Sequence, residues 1–70
     1  MNVTYSLHAR EEIKERKIEK VGVEETVKYP DKLTNKGTKY YAIKKLNDHR
    51  LKVVYIKEKF YKVITTYYLQ

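Results

Sequence analysis

The hydrophobic period of this chain changes once, at Asn35-Lys36-Gly37. Before that point apolar residues recur at helical spacing, and after it they alternate along the chain. A chain with one such switch builds helices first and strands second, which places it in the α+β class. Its 70 residues leave room for a single domain, read here as 1–70.

Ser6 is placed to cap a first helix over residues 6–17. Glu11 and Glu12 lie early in it and Arg16 and Lys17 late, as the helix dipole favours. Ala9, Ile13 and Arg16 share one arc of the helical wheel, with His8 and Glu12 flanking it. A second helix over 19–29 turns Val23 and Val27 inward. Gly22 weakens its first turn and moves the expected start toward Val23. Tyr29-Pro30 ends it, because a residue before proline avoids the helical region.

Residues 31–37 read as a loop. Strands are expected over 38–46, 50–57 and 60–69, joined by a turn at Asn47-Asp48 and a hairpin at Glu58-Lys59. In the last strand Tyr61, Val63, Thr65, Tyr67 and Leu69 alternate onto one face. The expected architecture is ααβββ: two N-terminal helices packed on one face of a three-stranded antiparallel sheet.

Several classes drop out at once. Cysteine is absent, which removes disulfides, thiol nucleophiles and cysteine-ligated zinc. No apolar run approaches the ~18 residues of a membrane-spanning helix. His8, Arg10 and Glu11 interrupt any signal-peptide core, so a cytoplasmic protein without a membrane partner is expected. Abundant Lys, Glu, Ile and Tyr beside a single glutamine suggests a thermophile.

The charge is unevenly spread. Residues 1–35 hold seven basic and seven acidic side chains, whereas residues 36–70 hold nine basic ones against Asp48 and Glu58. The whole net charge of +7 therefore falls in the second half, together with six of the eight tyrosines. Basic residues meet phosphates and tyrosines stack on bases, so this half has the composition of a nucleic-acid surface. Lys44, Arg50, Lys52 and Lys62 are the candidate phosphate contacts and Tyr68 a candidate stacking ring. The competing reading is that lysines protect exposed strands from aggregation.

The two histidines, His8 and His49, have no ligand spacing, so no metal and no cofactor is expected. Ser6 is the only serine and already has a capping role. What remains is acid–base chemistry on a polyanion. His8 stands one turn before Glu12 and two before Arg16. Histidine moves protons near neutral pH, and a guanidinium holds phosphate, so this stripe can place an acid–base group beside an anion clamp. The plainer reading is a histidine that steadies the helix start and an arginine in a structural ion pair. His49, in a hairpin turn, reads as incidental. Thr65 interrupts an apolar alternation, which threonine also does in ordinary strands. Tyr67 and Tyr68 must face opposite sides of the sheet.

The order of these residues resembles a widespread family of small uncharacterised bacterial, archaeal and phage domains. It runs His8-Ala9, Arg16, Ile18, Val27, Pro30, Leu51-Lys52-Val53-Val54-Tyr55 and Val63-Ile64-Thr65-Thr66-Tyr67, nearly the whole chain. More distantly it is similar to the BrnT and RelE toxins of type II toxin–antitoxin pairs, within the barnase–colicin–RelE group of ribonucleases. Lys20-Val21-Gly22 departs from the pattern as added length. The basic last strand of the RelE toxins is replaced by Thr65-Thr66-Tyr67-Tyr68.

The resemblance implies a RelE/BrnT-like fold and a toxin-like, metal-independent RNA endonuclease. His8, Arg16, Thr65 and Tyr67 are its expected catalytic residues and an acidic antitoxin its partner. Two other readings stand beside it. One is a non-catalytic nucleic-acid-binding or protein-interaction module. The other is a homodimer formed through an uncharged edge strand at Val63–Leu69.

Overall fold

The structure is a computed structural model and describes residues 2–69. Met1 and Gln70, the two ends of the expected domain 1–70, lie outside the described residues. In chain order the elements are β1 (Val3–Tyr5), α1 (Leu7–Arg16), α2 (Lys20–Lys28), β2 (Lys32–Lys36), β3 (Lys39–Leu46), β4 (His49–Lys57) and β5 (Tyr61–Leu69). The strands form one sheet in the order β1-β5-β4-β3-β2. β1 runs parallel to β5, and every other neighbouring pair is antiparallel.

This corrects the expected RelE/BrnT-like three-stranded antiparallel sheet. The α+β character stands, but the sheet is mixed and has five strands. Each missed strand has a physical reason. β1 is three residues long, and its pairing comes from the return of β5 rather than from a local pattern. β2 takes the place of the loop expected over 31–37; all five of its residues are exposed, which erases the alternation that betrays a strand. It is folded back onto β3 by a two-residue turn at Gly37-Thr38. Gly37 has φ 61°, and positive φ at the first turn position suits the twist of a hairpin. Asn47 does the same between β3 and β4, with φ 55°.

The helices are held at both ends. Ser6 Oγ accepts from the Ala9 N–H at 3.1 Å and starts α1. Lys17 turns left-handed and the Ile18 N–H donates to the Ile13 carbonyl, which stops it. α2 begins at Lys20, within one residue of the expected span 19–29, and Gly22 lies inside it without delaying the start to Val23. A Cβ at Gly22 would stand 3.0 Å from Leu46 Cδ1, so the glycine lets α2 approach β3 closely. Ala9, Ile13, Ile18, Val23 and Val27 pack against Ala42, Leu51, Val53, Tyr55 and Val63 on one face of the sheet.

A β-bulge in β5 sets what the other face carries. Tyr55 pairs with Val63 and Val54 with Thr65, so Ile64 is the extra residue. The alternation expected over Tyr61 to Leu69 therefore switches midway. Val63 and Thr66 are buried toward the helices, while Thr65 and Tyr67 lie on the helix-free side with Val54 and Lys52. β5 lies between β4 and β1, but β1 covers only Tyr61 to Val63, so among the described residues 64–69 of the strand supposed for a homodimer have no strand on their outer side.

Candidate active site and nucleic-acid interface

β1 stops at Tyr5, opposite Val63, and the outer side of β5 beyond that point is met by α1. Ser6 Oγ donates to the Ile64 carbonyl at 3.0 Å. Two turns of helix further on, Glu12 Oε1 accepts from the Thr66 N–H at 3.1 Å and from Thr65 Oγ1 at 2.6 Å. Its second oxygen, Oε2, accepts from Arg16 Nη1 at 2.8 Å and lies 3.5 Å from His8 Nε2. Helical spacing makes this convergence: residues 8, 12 and 16 are successive turns of one face.

Three of the four expected catalytic residues, His8, Arg16 and Thr65, thus meet on one carboxylate. The side chain that joins them, Glu12, stands in the His8-to-Arg16 stripe of the sequence but is not among the expected site residues. The signal for it was the His8-Glu12-Arg16 spacing itself. Glu12 is 8% exposed. Burial by itself would raise its carboxyl pKa. The hydrogen bonds from Thr65, the Thr66 backbone and Arg16, with the charge of His8, outweigh that and hold it below the usual carboxylate range. Glu12 is therefore an anion that orients its neighbours and a poor proton acceptor. The accessible groups are the His8 and Arg16 side chains, 67% and 46% exposed.

Tyr67, the fourth expected residue, lies two positions beyond Thr65 on the helix-free face. There it packs with Lys52, whose Nζ stands 5.3 Å from the Tyr41 ring centre and 5.9 Å from that of Tyr67. The ladder arranges this face in rows across the strands. Lys45, Arg50 and Leu69 form one row, and Lys32, Ile43, Lys52 and Tyr67 the next. Thr34, Tyr41, Val54 and Thr65 follow, and then Lys36, Lys39, Ile56 and Lys62. No aspartate or glutamate occurs in β2 to β5. The result is a cationic face in which Ile43, Tyr41, Val54 and Tyr67 are set among the basic side chains.

Arg50, Lys52 and Lys62 fall on this surface as candidate phosphate contacts. Lys44 does not. It sits on the helix side, where Nζ donates to the Tyr29 carbonyl at 2.9 Å and lies 3.9 Å from Asp31 Oδ1. Its role is to close the end of α2. Tyr68 also faces the helix side, 5.3 Å from the His49 ring. Lys32 and Lys36 escape sequence reasoning because their place on this face depends on β2 being a strand, whereas Tyr41 lies in the expected strand β3 and its alternation could have placed it. Among the described residues no three His, Cys, Asp or Glu side chains gather as metal ligands would.

Comparison with known proteins bears on this chain through one finding. A family model for a domain of unknown function, DUF4258, matches residues 5–68. The chain belongs to the DUF4258 family. The match runs from the last residue of β1 to the penultimate residue of β5, so the Glu12 cluster and the basic residues of the sheet face lie within the DUF4258 domain. No curated protein and no solved structure matches the chain significantly. Among the described residues no helix is long and apolar enough to cross a membrane.

Proposed function

We propose that this DUF4258 domain is a toxin-like RNA endonuclease that cuts with its own side chains. The observation that carries the proposal is the gathering of His8, Arg16 and Thr65 on the Glu12 carboxylate, at the border of a sheet face that is basic and aromatic. The residue-order resemblance to the BrnT and RelE toxins supports the same activity.

In this reading RNA lies across the helix-free face, its phosphates drawn by Arg50, Lys52 and Lys62. His8 takes the proton of a ribose 2′-hydroxyl, whose oxygen attacks the adjacent phosphorus. Arg16 stabilises the charge that develops on the non-bridging oxygens. The bond to the 5′ oxygen breaks, and the His8 imidazolium returns a proton to that leaving oxygen. The products are a 2′,3′-cyclic phosphate and a free 5′-hydroxyl. Glu12 holds His8 and Arg16 in place, and Thr65 holds Glu12, so Thr65 is a positioning residue. Tyr67 meets the RNA beside them. An acidic antitoxin that covers the basic face would silence the enzyme.

One observation favours a second reading, a nucleic-acid-binding module without catalysis. Glu12 also joins α1 to the outer side of β5, a structural task sufficient in itself to explain its contacts. One assay separates the two. Labelled RNA, free and on translating ribosomes, is incubated with wild type, His8→Ala and Arg16→Ala in the presence of chelator. The nuclease reading expects cleavage by wild type and its loss in both variants. Intact RNA in both settings, with RNA still bound, leaves the binding module.

A further inference from the structure

The helix-free face carries a depression of about 300 Å³ on the side away from the Glu12 cluster. Lys32, Thr34, Lys36, Tyr41, Ile43 and Lys52 line it. Its position relative to the cluster follows from the ladder. Thr34, on the rim, and Thr65, which bonds Glu12, stand in the same cross-strand row, three strands apart. At ~4.8 Å per strand that is about 14 Å. Lys52 spans the interval, since its ammonium reaches the ring of Tyr41 on one side and that of Tyr67 on the other.

The lining has two chemistries in one place. Tyr41 and Ile43 offer a flat apolar surface, and three lysines surround it with positive charge. A nucleotide has the matching pair, a planar base and a charged phosphate. The volume sits at the low end of small-ligand sites, the scale of one nucleotide rather than of a folded partner. In a duplex the base faces are already stacked and cannot reach a ring on the protein. In a single strand they can.

We propose that this depression is a nucleobase subsite for single-stranded RNA. One base stacks on Tyr41, and Lys32, Lys36 and Lys52 hold the flanking phosphates. The chain then continues across β3, β4 and β5 toward His8 and Arg16. The proposal takes its ligand from the reading above but does not depend on cleavage.

The test is fluorescence anisotropy of a short, unstructured, labelled RNA in a His8→Ala background, which keeps the RNA intact. The expected result is an affinity about tenfold lower for Tyr41→Leu and unchanged for Tyr41→Phe, which keeps the ring. A duplex of the same sequence should bind more weakly and be indifferent to residue 41. Far-ultraviolet circular dichroism establishes that each variant is folded. Equal binding by Tyr41→Leu and its parent, equal binding of duplex and single strand, or no RNA binding at all overturns the subsite. Cleavage is scored separately in wild type. A stacking loss without any cleavage keeps the subsite and sinks the nuclease. Cleavage with a Tyr41-indifferent affinity does the reverse.

Discussion

Thr65 Oγ1 donates to Glu12 Oε1 at 2.6 Å, a bond between a strand and a helix 53 residues apart in the chain. The same oxygen accepts the Thr66 N–H, and the other carboxylate oxygen accepts from Arg16. One buried anion thus satisfies an unladdered backbone donor of β5 and fixes the face of α1 that carries His8. Stability and the candidate chemistry share this group, so they are expected to respond differently when it is changed.

Glu12→Ala leaves the Thr66 N–H and the Thr65 hydroxyl without their acceptor. A loss of about 2 kcal/mol is expected, as for other buried donors left unmade. Glu12→Gln keeps acceptors for both and loses the charge. The folded-state pKa of Glu12 lies below its ordinary value of 4.5, so its ionisation stabilises the fold above that value. This contribution disappears as pH falls through the lower folded pKa. Chemical denaturation at several pH values should show wild type ahead of Glu12→Gln at neutral pH and level with it in strong acid. A gap that persists unchanged in acid would mean that the carboxylate charge is irrelevant.

His8→Ala separates function from fold. The side chain is 67% exposed, so its removal should change stability by no more than about 0.5 kcal/mol. If His8 moves the proton, the cleavage rate should fall by about 10²- to 10⁴-fold at unchanged RNA affinity. Single-turnover kinetics beside a melting curve measures both. Undiminished cleavage by a folded His8→Ala protein removes histidine from the mechanism.

The helices and the three long strands could be read from the residues because each advertises its own period. Val23 and Val27 mark the inner side of α2, and Leu51, Val53 and Tyr55 that of β4. What stayed hidden depends on partners distant in the chain. β2 has no buried residue, and β1 exists because β5 returns beside it. The bulge at Ile64 reverses the facing of Thr65 and Tyr67, and no residue type at 63–65 announces it. His8, Arg16 and Thr65 were nameable from spacing and resemblance. That Thr65 joins His8 and Arg16 on Glu12 depends on where β1 stops, which is a tertiary fact.

Salt dependence should report the basic face. Single-stranded nucleic acid loses affinity with salt at a slope of about 0.7 per phosphate contacted. Lys32, Lys36 and Lys62 lie on the helix-free side of strands that contain no acidic residue. Replacing all three with glutamine should weaken RNA binding at low salt and lower the slope by about 2. Lys44→Gln serves as the control. Its ammonium is committed to the Tyr29 carbonyl, so that substitution should leave the slope alone and cost a little stability at the end of α2 instead. A slope untouched by the triple substitution would place the RNA on another surface.

The Gly37 turn decides whether β2 exists as a strand, and with it the outer wall of the depression. Gly37 has φ 61°, and a Cβ there would meet no atom within 4 Å. The cost of Gly37→Ala is therefore conformational and not steric, about 1 kcal/mol for a left-handed alanine. Gly37→Asn should cost less, because asparagine tolerates that region. The effect should be local. β2 pairs only with β3, so its amides can open without disturbing the core beneath β4 and β5. Hydrogen exchange should show faster exchange at the amides that pair β2 with β3 in Gly37→Ala, with protection at Val53 and Val63 retained. RNA affinity should fall in the same variant, since Lys32 and Lys36 are then no longer held beside Tyr41. Uniformly accelerated exchange across all strands would mean instead that β2 is part of the cooperative core.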